Sequence, residues 1–276
     1  MSWVWVMTGM KKTAHGITAK GVCAAAAVFL LAAAVMLCVL RPGIADNAVR
    51  KVNELLFPGR NDSWAYAMGK ILCIGDSLTE GAYFGADNGG AAIEQNYPYY
   101  LGRMLNTEVV NAGVSGYSAS DWYIEKAGEY EYTEYDTVII WLGTNNGLTD
   151  TLDADVDSFD DYNDFAETET GYYCRIIETV FESNPNARIV LMNVFASKGD
   201  VKATNITINK IAAKYDLHVI DTESLSMDES TDLHAGLKNP HLGKGGNIAA
   251  ARLIIRDMGS YFAERPIRCE YGQSVS

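Results

Sequence analysis

Apolar residues gather into five short runs, at 71–74, 108–110, 137–142, 188–194 and 217–220. Three of these run directly into Gly75, Asn111 or Gly143. A short, unbroken apolar run that stops at a turn residue reads as a strand buried on both faces, as in a parallel sheet. Segments with helical character lie between the runs, at 97–106, 118–128, 170–184, 202–215 and 245–263. Strands alternating with helices predict one α/β domain over 70–264, with helices covering both faces of a central sheet of about five parallel strands. Residues 265–276 are left as a tail.

The pattern is different ahead of residue 70. Residues 21–40 carry no charge at all, which is long enough for a helix to cross a bilayer. Lys11, Lys12 and Lys20 precede them and Arg41 follows. That lysine excess predicts the N-terminus inside and the rest outside, with 1–41 as a stub and membrane anchor. A cleaved signal peptide is the competing reading, with Gly43-Ile44-Ala45 as its cleavage site. Either reading puts the α/β domain outside the cytoplasm, anchored or secreted. Residues 42–69 mix Pro, Gly, Asn and charges and read as a linker.

Charge narrows the partners. The formal net charge is -13, which argues against a nucleic-acid binder. Residues 150–169 hold nine Asp/Glu and no Lys or Arg. Asp153, Asp155 and Asp157 have the spacing that opens a calcium loop, but its glycine and closing glutamate are missing. The segment therefore reads as a solvated acidic insertion beside the third strand's end, with a lid or a screen against anions as further readings. The cysteines, at 23, 38, 73, 174 and 269, have no metal-site spacing. Cys73 and Cys174 read as small core residues. Neither a metal nor a cofactor is called for.

The candidate chemistry sits where the runs end. Ser77 follows the first run within Gly75-Asp76-Ser77-Leu78-Thr79-Glu80-Gly81. The second run leads to Asn111-Ala112-Gly113-Val114-Ser115-Gly116-Tyr117 and the third to Gly143-Thr144-Asn145-Asn146. Late in the chain comes His241-Leu242-Gly243-Lys244-Gly245-Gly246-Asn247. Singly, these are a helix cap at Ser77, a turn asparagine at Asn145 and a turn glycine at Gly116. Jointly, they bring a hydroxyl, a glycine amide and a carboxamide to one edge of the sheet, where open α/β sheets bind ligands.

These four ordered blocks resemble the SGNH, or GDSL, hydrolase family over roughly residues 70–262. The resemblance implies a flavodoxin-like three-layer α/β/α sandwich and ester hydrolysis through an acyl-enzyme on Ser77. It implies oxyanion donors at the Ser77 N–H, the Gly116 N–H and the Asn145 side-chain amide. It places the base just ahead of a glycine and the last helix, which fits His241 with Gly246 following. Of the other histidines, His15 precedes the apolar segment, His218 lies in the fifth run, and His234 is the remaining competitor. The family's acid stands three residues before the base, where this chain has Lys238. A lysine has no acceptor for an imidazole N–H. Asp232 is the preferred substitute, with Asp228, Asp221 or a backbone carbonyl as alternatives.

The expected activity is that of an extracytoplasmic serine esterase on small-molecule, glycan or lipid acyl esters, O-acetyl groups among them. An O-acyltransferase using the same site is one alternative. A catalytically impaired surface module that binds glycans or proteins is another, with Lys238 as its support. The aromatic set Tyr83, Phe84, Tyr97, Tyr99, Tyr100, Tyr117 and Trp122 flanks the blocks and reads as core or as substrate contacts.

Overall fold

The structure, a computed structural model, describes residues 63–82, 94–226, 233–236 and 239–265. The apolar segment at 21–40, Tyr83, Phe84, Asp228, Asp232 and Lys238 lie outside the described residues. Among the described residues no helix is long and apolar enough to cross a membrane.

In chain order the elements are α1 (Ser63–Ala67), β1 (Ile71–Gly75), α2 (Ser77–Glu80), α3 (Tyr97–Leu105), β2 (Val109–Gly113), α4 (Ala119–Lys126) and β3 (Thr137–Trp141). Then come α5 (Leu152–Asp155), α6 (Glu169–Ser183), β4 (Arg188–Met192), α7 (Val201–Tyr215) and β5 (His218–Ile220). The last are β6 (His234–Gly236), β7 (Asn239–Leu242) and α8 (Lys244–Glu264). Strands β1 to β5 form one parallel sheet in the order β2-β1-β3-β4-β5. That is the flavodoxin-like order, with a switch point between β1 and β3. β6 and β7 pair antiparallel as a separate ribbon.

Burial explains why the strands read so clearly. Every residue of β1 and β3 is buried, because these strands have neighbours on both sides and helices on both faces. β2, at the edge, is only partly covered. The β1-to-β2 connection runs one way across the sheet and the later crossovers run the other. Right-handed crossovers therefore place α3 on one face and α4, α6 and α7 on the other. α3 packs against α8, and α4 against α6. Asn96, Ser118, Thr168 and Asp200 cap α3, α4, α6 and α7, their side chains accepting first-turn N–H groups. α3 and α7 end in left-handed Asn106 and Asp216.

Register places the site. Gly75 at the end of β1 lies opposite Gly113 of β2 and Trp141 of β3. Three strands thus end level, and their following turns leave from one edge. At Gly113 a Cβ would come within 2.2 Å of the Glu80 backbone nitrogen. Only glycine lets α2 lie this close to β2.

The acidic segment is exposed over much of its length, yet it is anchored. Lys210 pairs with Asp150 at 2.7 Å, and Lys214 pairs with Asp157. Asp155 is buried and accepts from the hydroxyls of Thr151 and Thr168. These links tie the segment to α6 and α7, which argues for a packed connection and against a lid. Among the described residues, no group of three or more His, Cys, Asp or Glu side chains is placed to hold a metal. Cys73 and Cys174 are buried, and burial pushes both thiols up to about 12, so they stay protonated.

Candidate active site

The turn after β1 is shaped by Asp76. Its Oδ1 accepts the Leu78 N–H at 2.9 Å, which caps the short α2. Ser77, the first residue of α2, is thereby fixed at the carboxyl edge of the sheet and is 6% exposed. Asp76 itself is fully buried, and burial raises its carboxyl to about 6. The Leu78 N–H, the adjacent Thr144 hydroxyl and the Lys198 charge offset only part of that cost.

The second block is sewn to this turn. The Asn111 amide donates to the Thr79 carbonyl at 2.8 Å, and its oxygen accepts the Gly113 N–H at 2.9 Å. Val114 N–H donates to the Gly75 carbonyl at 3.1 Å, and the Ser115 N–H and hydroxyl donate to the Glu80 carboxylate. Gly116 follows at φ +84 and is exposed. A Cβ there would meet no atom within 4 Å, so glycine serves the backbone conformation and leaves the approach open. In the third block, Asn145 is buried and its side-chain amide donates to the Tyr117 carbonyl at 3.0 Å. One amide hydrogen binds the loop that carries Gly116, which leaves a second donor on the same nitrogen.

His241 arrives from elsewhere in the chain. It lies on β7, and its Nε2 stands 2.9 Å from the Ser77 hydroxyl oxygen, 164 residues away in sequence. The ring is half-buried, and loss of hydration lowers its pKa. The imidazole is therefore neutral around pH 7, with a lone pair that Nε2 can offer to the serine proton. The open end of the β6–β7 ribbon is closed by Gly243 N–H to the Leu233 carbonyl at 2.8 Å, and Asn247 of α8 ties the ribbon to the domain, its amide donating to the Leu242 and Gly243 carbonyls.

His234 has a different place. It is buried, with Nδ1 3.0 Å from the Pro240 carbonyl and Nε2 2.9 Å from the Leu225 carbonyl. It thus spans the loop after β5 and the residue just before His241. His218 opens β5 at the opposite end of the sheet and pairs with Asp257. Asp221 is exposed and accepts the Glu223 N–H at 3.0 Å.

Of the aromatic set, Tyr97 and Trp122 are fully buried core residues. Tyr97 packs edge-on against Trp141, and the Trp122 indole donates to the Ala112 carbonyl at 2.7 Å. Tyr99 is 38% exposed, and Tyr100 and Tyr117 are partly covered. Sequence reasoning assigned no role to Asp76, Asn111 or Glu80, although all three stand inside the quoted blocks. The alternation of carboxylate, amide and glycine in those blocks was the available signal.

A serine–imidazole pair at the carboxyl edge of a flavodoxin-like sheet defines a site suited to nucleophilic acyl transfer. The profile of the GDSL-like lipase/acylhydrolase family matches residues 73–247. The chain belongs to this family, whose members are hydrolases acting on ester bonds. No curated protein matches the sequence. Among solved structures, a psychrotrophic esterase from Pseudoalteromonas sp. is similar at 16% identity, with a TM-score of 0.51 over 71% of this chain and 99% of its own. A lipase/acylhydrolase from Enterococcus faecalis matches at 20% identity and a TM-score of 0.48, over 70% of this chain and 97% of its own. An acetylxylan esterase from Geobacillus stearothermophilus matches at 20% identity and a TM-score of 0.47, over 70% and 96% respectively.

Proposed function

We propose that this chain is a serine esterase that hydrolyses acyl esters, O-acetyl groups on glycans among them, through an acyl-enzyme on Ser77. The observation that carries the reading is the 2.9 Å contact between His241 Nε2 and the Ser77 hydroxyl. His241 takes the serine proton as Oγ attacks the ester carbonyl. The oxyanion that forms is met by the Ser77 and Gly116 N–H groups and by the free amide hydrogen of Asn145. His241 then gives its proton to the departing alcohol. Water repeats the sequence on the acyl-enzyme and releases the acid. The intact Ser77–His241 contact speaks against an impaired binding module.

Membrane attachment through residues 21–40, with this site outside the cytoplasm, belongs to the same proposal. It is supported by the uncharged run and the lysines before it. With Lys238 where the family's acid stands, Asp232 remains the candidate to orient His241.

The test is hydrolysis of p-nitrophenyl acetate together with labelling by a fluorophosphonate. Wild-type protein should turn over and be labelled, and Ser77→Ala should lose both. A wild type that does neither overturns the reading.

A further inference from the structure

Glu169, the first residue of α6, touches both loops of the proposed oxyanion site. Its Oε1 accepts the Asn146 amide at 3.0 Å and the Ser120 hydroxyl at 2.8 Å. Its Oε2 accepts the Ser120 N–H at 3.0 Å. Ser120 is the second residue of α4, two past the capping residue Ser118 and four past Gly116. Asn146 lies directly after Asn145 and is held at φ +64. That left-handed conformation is uncommon for a residue with a side chain, and asparagine is one of the few that adopt it. Asn145 itself closes the ring by donating to Tyr117. One carboxylate thus fastens the residue after the carboxamide donor to the helix that begins just past the glycine donor.

We infer that Glu169 is a positioning residue of the esterase, which sets the spacing between the Asn145 amide and the Gly116 N–H by clamping Asn146 to Ser120. This rests on the reading of Asn145 and Gly116 as oxyanion donors. Glu169 is well placed for an ordinary structural task too, since an acid in the first turn of a helix complements the helix dipole. The two roles separate in the kinetics. A stabilising acid shifts melting temperature and leaves turnover alone. A clamp on donors that act only on the oxyanion lowers kcat and leaves KM nearly unchanged.

The experiment compares Glu169→Met, Glu169→Gln, Asn146→Gly and Asn145→Ala on p-nitrophenyl acetate, with kcat and KM measured separately. Methionine keeps the length and removes both carboxylate oxygens, leaving only a weakly accepting sulfur. Glutamine keeps one acceptor oxygen and offers an N–H to the Asn146 amide oxygen once that amide turns over. Asn145→Ala should lose ~10²–10³ in kcat. Glu169→Met should lose roughly 10- to 100-fold in kcat with KM within about threefold, as expected for donors displaced by a fraction of an ångström. Glu169→Gln should recover to within about threefold of wild type.

If Asn145→Ala is unimpaired, the oxyanion reading fails. If Asn145→Ala is impaired while Glu169→Met keeps kcat within twofold, the clamp alone fails. It also fails if Glu169→Gln is as impaired as Glu169→Met, or if the loss lies in KM. Should Glu169→Met not fold, Asn146→Gly carries the test, because glycine tolerates the left-handed backbone. An unchanged kcat there overturns the inference.

Discussion

Ser77 stands on a turn whose strand, β1, is hydrogen-bonded on both sides, to β2 and β3. His241 stands on β7, which pairs with β6 in a two-stranded ribbon apart from the main sheet. On the Ser77 side, Asn111, Asn145 and Glu169 link the strand-end loops to one another. On the His241 side, His234 joins the residue before His241 to the loop after β5. An isolated two-stranded ribbon is marginal in water, so its placement depends on such tertiary links. One half of the site is thus fixed by the central sheet and the other is delivered to it.

Removing the delivered half altogether has the largest expected effect. His241→Ala should lower kcat by roughly 10²–10⁴ on an activated ester, with the melting temperature unchanged, because the ring is only half-buried. A comparable loss of fold would show that the ribbon and sheet are one unit.

Loosening the delivery comes next. His234→Phe keeps the ring and removes both carbonyl contacts. It should cost roughly tenfold in kcat through misplacement of His241, together with a drop of about 5 °C in melting temperature. An unchanged kcat would mean that β7 finds its place without His234.

The pH profile tests the base directly. The desolvated His241 titrates below its ordinary value of 6.5. The log of kcat/KM should therefore rise with pH through a midpoint below that value and be flat at pH 7 and above. The buried Asp76 titrates in the same region, at about 6. The limb should persist in Asp76→Asn if it belongs to His241, and vanish if it belongs to the sheet-held carboxyl.

Stability responds to pH as well. Asp76 has its folded-state pKa raised from 3.8 to about 6, so the fold favours the protonated form. The stability it contributes is complete below about pH 3.8 and is lost as pH rises through about 6, a swing on the order of 3 kcal/mol. Asp76→Asn keeps an acceptor for the Leu78 N–H and cannot ionise. Its stability relative to wild type should improve between pH 4 and pH 8 in denaturant titrations. No relative gain would show that the charged carboxylate is compensated where it lies.

The sheet was legible because strands buried on both faces write themselves as continuous apolar runs. β2 was the instructive shortfall: its apolar signal stops at Val110, yet pairing continues to Gly113 because β1 supplies the ladder. The β6–β7 ribbon was not expected. His234–Gly236 and Asn239–Leu242 show neither alternation nor a hairpin dipeptide, and tertiary links hold them. Residues 150–169 read as free charge because their lysine partners lie about 60 residues away on α7. The site followed the same rule. Ser77, Gly116 and Asn145 announce themselves at strand ends, where small and polar residues interrupt apolar runs. Glu169 does not, since its contacts bridge 23 and 49 residues and leave no local pattern.

The close approach at Gly113 has a practical consequence for redirecting this enzyme toward other acyl groups. A methyl group at position 113 or 75 would overlap Glu80 or Thr79 atoms, so any substitution there pushes the turn away from the strand ends. Beside the open face of Gly116, the Ser115 hydroxyl is engaged by Glu80 of α2, whereas the Tyr117 hydroxyl donates to Glu125 on α4, away from the strand ends. Diversity belongs at Tyr117, with Ser115 and the glycines on either side of the Ser77 turn left as they are.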